Sequence, residues 1–275
     1  MAQCCFDCGL RWKSCRDFTR TQWPIPRWLF ILYRLITLIY TLGYQIFSWV
    51  MYFDPRYYAF VTHLTFSLVA LYEIAATGNL IIDLVLDAKD TPPKESTTLS
   101  LRYTIQWVLY DVLLTWSLIV AVVYWAFLFE QNTDAVSWVE DITIHLLPAA
   151  FSLLEVTVTA TPCLFGHVVY PLTYGMMYLT FTLIYWAVSG GVVYFFLDYG
   201  ENPVTSIVAL LSLAAAIFVI YTVVWVVTIL RQWVARKTND CRCGSRAKYD
   251  VEKNTENQGH HSEGDEDEGI VAHIS

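Results

Sequence analysis

Six apolar stretches, each bounded by a short polar break, constrain the fold of this chain more than any other feature. They run from Trp28 to Met51, Ala59 to Leu86, Ile105 to Leu128, Val136 to Val158, His167 to Gly190 and Val204 to Leu230. A hydrocarbon core about 30 Å thick is crossed by a helix of about 20 apolar residues, and every stretch meets that length. In lipid each backbone N–H and C=O has to be paired within its own segment, so the stretches predict helices. A soluble chain of 275 residues could not bury six all-apolar helices on every side. The expected fold is therefore all-α, a six-helix transmembrane bundle. The composition agrees, with 56% hydrophobic and 15% charged residues. Aromatic residues such as Trp23, Trp28, Tyr52, Tyr57, Trp138 and Tyr199 fall near the ends of the stretches, where an amphipathic ring suits the headgroup layer.

The basic residues set the expected orientation. Of 17 Lys and Arg, 15 lie before the first stretch, between the second and third, or after the sixth. Arg56 is the only basic residue in the opposing loops. The positive-inside rule then predicts cytoplasmic N- and C-termini. The 27 leading residues are polar and the first apolar stretch is too long for a signal-peptide core, so the first helix is expected to act as an uncleaved insertion signal. Residues 1–27 read as a Cys- and basic-rich cytoplasmic segment, 28–230 as the membrane domain, and 231–275 as a basic, then acidic, disordered tail. That tail carries the run Glu263-Gly264-Asp265-Glu266-Asp267-Glu268 and accounts for much of the net charge of −8. The break from Asp87 to Thr104, with Pro92-Pro93, reads as a linker. No nucleic-acid partner is expected; the expected partners are membrane lipids and lateral helices of other proteins.

All seven cysteines fall on the predicted cytoplasmic side, which argues against disulfides. Cys4, Cys5, Cys8 and Cys15, next to basic residues at the membrane surface, are candidate S-palmitoylation sites. A zinc site from Cys5, Cys8, Cys241 and Cys243 would need the two termini to meet. Neither a metal nor another cofactor is expected.

An ionisable side chain inside the bilayer is costly unless paired. Arg34, Asp83, Asp111 and Glu155 stand at similar distances from the cytoplasmic ends of the first four helices, which predicts an internal ion-pair cluster holding the helices together. In the outer half, Thr65 and His145 differ in depth by a few ångströms at about 1.5 Å per residue. Asp141, four residues before His145, is expected on the same helix face. These three are candidates for a hydroxyl nucleophile, an imidazole base and a carboxylate that orients it. The alternative is that Thr65 bonds back to its own helix and His145 simply packs. His63, Asp141 and His145 lack the facing pairs that a haem would need.

The stretch Val168-Val169-Tyr170-Pro171-Leu172-Thr173-Tyr174-Gly175, followed by Tyr178-Leu179-Thr180-Phe181-Thr182-Leu183-Ile184-Tyr185-Trp186-Ala187, Phe196-Leu197-Asp198-Tyr199 and Asn202-Pro203, resembles the Rolling stone family. Tyr124-Trp125 matches the end of that family's third helix, and the resemblance covers most of residues 25–230. It implies a multi-pass membrane protein related to a fly founder associated with myoblast fusion, acting at the plasma membrane, with the endoplasmic reticulum as the alternative. A weaker resemblance reaches the androgen-induced-gene hydrolases, intramembrane enzymes that cleave fatty acid esters of hydroxy fatty acids with a Thr and a His. It rests on His63-Leu64-Thr65-Phe66 and on Glu155 following His145 by ten residues. This chain departs from the hydrolases in having Thr62 and His63 in place of a basic and an aromatic residue, and Pro148 three residues after His145 instead of five. Two readings follow: a cell-surface protein of adhesion or fusion, and a hydrolase of fatty-acyl esters. Transport is not favoured, since no paired, broken helices recur in matching positions.

Overall fold

The computed structural model describes residues 10, 12, 14–89, 99–129 and 135–262. Seven α-helices follow in order: α1 (Arg27–Tyr52), α2 (Val61–Ala88), α3 (Leu101–Val123), α4 (Ala135–Asp141), α5 (Leu147–Val158), α6 (Val169–Ser189) and α7 (Pro203–Ser262). A π-helical turn, Tyr124–Leu128, extends α3, and a second, Ile142–Leu146, joins α4 to α5. Among the described residues, six segments are long and apolar enough to cross a membrane: Arg27–Tyr52, Val61–Ala88, Leu101–Leu128, Trp138–Val158, Phe165–Ser189 and Pro203–Thr238. Their limits fall within a few residues of the apolar stretches except in the sixth. There α7 continues to Ser262, where the sequence predicts a disordered tail from 231; no proline interrupts residues 204–262. The acidic run from Glu263 lies outside the described residues, as do Cys4, Cys5 and Cys8. The chain divides into two units, Met1–Ile229 and Leu230–Ser275.

Helix α1 is polar on its inner face. Arg34, Thr37, Thr41, Gln45 and Ser48, spaced by three or four residues, are all buried, while Trp28, Leu32, Ile36, Ile39, Ile46 and Val50 are exposed. That is the arrangement expected in lipid, where the tails outside are as apolar as leucine and helices are joined by packing and hydrogen bonds. Helices α2 and α3 occupy the centre, contributing Tyr72, Trp107, Tyr110, Leu113 and Leu114 to the main core. A second core joins Trp116 and Ile119 of α3 to Ile217 of α7. Buried indoles are tied down: Trp107 Nε1 donates to the Pro162 carbonyl (2.8 Å) and Trp116 Nε1 to that of Pro171 (2.9 Å). At Gly175 a Cβ would stand 2.9 Å from Trp116 Cζ2, so the absence of a side chain lets α6 lie against that indole. Helix α6 ends at Gly190, whose φ of +67° is the left-handed cap that glycine adopts without steric cost.

The segment before α1 is folded back across the end of the bundle from which α1 starts. Thr21 pairs with Thr159 in an isolated antiparallel bridge, and Trp23 Nε1 donates to the Thr157 carbonyl (2.6 Å). Phe18 is fully enclosed between Tyr103 and Trp107. Arg16 and Arg27 both pair with Asp87, and Thr19 donates to Asp83 (2.6 Å). Cys15 is half-buried and packs against the main core, and neither it nor Cys163 is in a disulfide.

Candidate functional site

The four ionisable residues expected in one cluster are distributed over three pairings. Arg34 donates to both carboxylate oxygens of Glu155, at 2.6 and 3.0 Å, and Glu73 of α2 stands 3.6 Å from the same guanidinium. Tyr33 and Tyr72 donate to Glu155 (2.7 and 2.8 Å), and Thr37 donates to Glu73 (2.9 Å). Asp83 instead pairs with Arg102 (2.7 Å) and accepts from Tyr103 (2.7 Å). Asp111 lies 2.7 Å from His167 Nδ1, both fully buried, with the Tyr221 hydroxyl 3.4 Å away. The single expected cluster is thus corrected: equal depth does not bring four side chains together when they point to different faces. Glu73 was missed by the sequence reading, although a lone carboxyl in the apolar run Leu71-Tyr72-Glu73-Ile74-Ala75 was a signal that could have found it. In the sequence His167 marks only the start of the fifth apolar stretch.

The far end holds the candidate catalytic residues. Thr65 is buried on α2, and its hydroxyl makes no hydrogen bond of normal geometry; the Tyr174 hydroxyl of α6 is its neighbour. His145 lies in the π-turn of the fourth span, its ring flat on Tyr124 with centroids 3.3 Å apart and planes within 6°. Its Nδ1 is 3.1 Å from the backbone carbonyl of Asp141. The Asp141 carboxylate accepts from the Tyr124 hydroxyl and has no bond to the imidazole. His145 is therefore oriented by a carbonyl, not by the carboxylate expected from the sequence, and no hydrogen bond joins it to Thr65. His63 stacks on Tyr57 at 4.0 Å and is close enough to His145 to interact with it electrostatically. No group of three or more His, Cys, Asp or Glu among the described residues could hold a metal ion.

The π-turn has a local cause. Pro148 has no N–H, and its ring would clash with the carbonyl four residues earlier, that of Ile144, in a regular α-helix. Widening the turn relieves the clash, and single π-turns of this kind recur at functional sites. Tyr124, which covers His145, begins the other π-turn, closed by the Phe129 N–H on the Tyr124 carbonyl (2.8 Å).

Tyr124 also lines an apolar cavity of about 410 Å³. Trp116, Val120 and Val123 of α3, Phe195 and Phe196 of the loop after α6, and Leu213 of α7 are among its walls. Its hydroxyls include those of Thr62, Tyr178 and Tyr194, at the far end. Tyr178 donates to the Ala59 carbonyl (2.8 Å), and Tyr194 accepts from the Val61 N–H (3.2 Å). Burial raises the Tyr194 phenol above its ordinary range, keeping it a neutral hydroxyl. Burial acts likewise on Tyr57 in the loop before α2, opposed by its hydrogen bonds with Ser48 and Gln45.

The family model described as Protein rolling stone matches residues 4–242. Protein rolling stone of Drosophila melanogaster is 25% identical over 199 residues, covering 66% of this chain and 69% of that protein. No solved structure matches the chain.

Proposed function

We propose, because this chain belongs to the rolling stone family, that it acts at the plasma membrane in cell adhesion or cell fusion, through surfaces that lie within the bilayer. Family membership carries this reading, and two features support its second part. The far-end connections, such as residues 53–60 between α1 and α2, are short and offer an external partner little surface. Apolar rows on the helices are turned outward instead: Met176, Met177, Ile184 and Val188 of α6 are exposed along one stretch, a surface that another membrane helix can cover. Depletion of the protein from cultured myoblasts, followed by a count of nuclei per syncytium, tests the reading. Fewer nuclei per syncytium, restored by the wild-type chain and not by one with charged residues at Met177 and Ile184, is the expected result. Normal fusion without the protein overturns it.

A second reading, an intramembrane hydrolase of fatty-acyl esters, is favoured by one arrangement: Thr65 presents a buried hydroxyl with only the Tyr174 hydroxyl beside it, while the Asp141 carbonyl holds His145 through Nδ1, leaving Nε2 as the base. In that reaction His145 takes the Thr65 proton as the oxygen attacks the ester carbonyl, and returns it to the departing alcohol. Water then releases the acid from the acyl-threonine. A fluorophosphonate probe should label the purified chain at Thr65 and fail to label Thr65→Ala or His145→Ala. Absence of labelling in folded wild type would end this reading.

A further inference from the structure

The cavity beside Tyr124 is not used by either reading, and its surroundings specify an occupant. Val122 and Phe127 on α3 and its π-turn, and Phe195 on the loop, line the cavity and are more than half exposed. They belong to, or adjoin, membrane-crossing segments, so the medium at its mouth is the hydrocarbon of the bilayer. On α3 the walls run from Trp116 to Leu128, twelve residues of helix or roughly 18 Å, which is well short of the hydrocarbon thickness. The occupant is therefore an amphiphile that does not cross the bilayer, with its head at the far end.

The head is neutral. No Lys, Arg, Asp or Glu lines the cavity, so a phosphate or carboxylate would be left unpaired in an apolar surrounding, at a cost of several kcal/mol. What the cavity offers at its far end are the hydroxyls of Thr62, Tyr178 and Tyr194, with that of Tyr194 adjoining the other two. Such groups suit a single alcohol that both donates and accepts a hydrogen bond.

The body is apolar and compact. On α7 the small residues Ala209, Ser212 and Ala216 recur at helical spacing among Leu210 and Leu213. The α3 and π-turn side combines branched Ile119, Val120 and Val123 with the rings of Trp116, Tyr124 and Phe127. A fused ring system with a few projecting methyl groups fits the recesses left by the small residues and packs against the branched and aromatic side chains. The volume of about 410 Å³ lies in the range of pockets that hold a compact ligand. We propose that this cavity is a binding site for a sterol, its hydroxyl among Thr62, Tyr178 and Tyr194 and its rings between α3 and α7.

The test uses the full chain purified in detergent with a photoreactive, alkyne-tagged cholesterol, and maps the labelled peptides by mass spectrometry. Labelling is expected within residues 116–128, 194–197 or 209–216. Unlabelled cholesterol should compete and phosphatidylcholine should not. Ala216→Phe fills the cavity and should lower labelling by about tenfold or more, the equivalent of about 1.4 kcal/mol. Ile39→Phe on the exposed face of α1 should leave it unchanged. Tyr194→Phe keeps the shape and removes the hydroxyl, and should weaken competition by cholesterol several-fold. If Ala216→Phe does not yield a monodisperse protein, Ala209→Leu serves in its place. Equal competition by phosphatidylcholine, or undiminished labelling in the filled variant, means a general lipid contact only and overturns the proposal.

Discussion

Replacing Arg34 by methionine isolates the electrostatic role of the buried network. Met preserves much of the stem volume, which Phe30, Tyr33 and Tyr72 surround with their rings 5.2 to 5.7 Å from the guanidinium carbon. What it removes is the cation paired with two buried carboxyls, Glu73 and Glu155, including both bonds to Glu155, at 2.6 and 3.0 Å. Hydrogen bonds to charged groups are worth about 1.5–3 kcal/mol each, so the two together come to about 3–6 kcal/mol. Breaking a buried pair typically costs about 3–5 kcal/mol, and the lower half of the range applies here, because Tyr33 and Tyr72 still donate to Glu155 and Thr37 to Glu73. For a chain of this size about 2–4 °C of melting temperature corresponds to each kcal/mol, so Arg34→Met should melt about 6–16 °C below wild type. The assay is survival of the monodisperse peak in size-exclusion chromatography after heating in detergent. Adding Glu155→Gln to Arg34→Met should recover a large part of the loss, since the uncompensated carboxylate is then gone. A single variant that melts with wild type, or a double variant no better than the single, would refute the electrostatic account and leave packing as the cause.

Three shorter predictions concern the helix contacts, the N-terminal segment and the orientation. Gly175→Ala places a Cβ 2.9 Å from Trp116 Cζ2 and 3.2 Å from Ile217 Cδ1, so it should cost about 1–3 kcal/mol, read as a lowered melting temperature; an unchanged melt would show that the indole yields freely. Phe18→Ala empties a fully enclosed site between Tyr103 and Trp107 at a cost of about 3–5 kcal/mol, and should speed tryptic cleavage after Arg16 and Arg20 while the bundle still elutes intact. Cytoplasmic termini predict that a cysteine introduced by Gly200→Cys reacts with a membrane-impermeant maleimide on intact cells, whereas one introduced at Ser100 reacts only after permeabilisation; the reverse pattern would invert the orientation.

The bundle was legible in the sequence because the solvent imposes it. Length and apolarity are sufficient to identify spans when each helix has to satisfy its own backbone in lipid. The pairing of ionisable residues was not legible in the same way. Hydropathy reports depth, and Arg34, Asp83, Asp111 and Glu155 do lie on successive spans, but it is silent on rotation about the helix axis. Rotation sends Asp83 to Arg102 and Asp111 to His167, and brings Glu73 to Arg34. The fold-back before α1 was hidden for a different reason. Its anchors are an isolated backbone bridge, one indole-to-carbonyl bond, the enclosed Phe18 ring and side-chain pairs with Asp83 and Asp87, none of which leaves a periodic pattern in thirteen residues.

The relation between Asp141 and His145 is set by the π-turn between them. Placing residues four apart on one face assumes a regular α-helix throughout. The π-turn Ile142–Leu146 breaks that assumption between those two residues, so the Asp141 carboxylate is turned to the Tyr124 hydroxyl and its carbonyl is left for the imidazole. If Pro148 causes the wide turn, Pro148→Ala should allow α-helical pairing through Ile144 and rotate His145 away from the Tyr124 ring. Stacked aromatic pairs are worth about 0.5–1.5 kcal/mol beyond their buried area. A double-mutant cycle on thermal stability, with Tyr124→Leu and His145→Leu, should therefore give a coupling of that size with Pro148 present and a markedly smaller one in the Pro148→Ala background. An equal coupling in both backgrounds would show that the stack, rather than the proline, holds the turn open, and the His145 geometry would then belong to the far-end aromatic cluster instead of to its own helix.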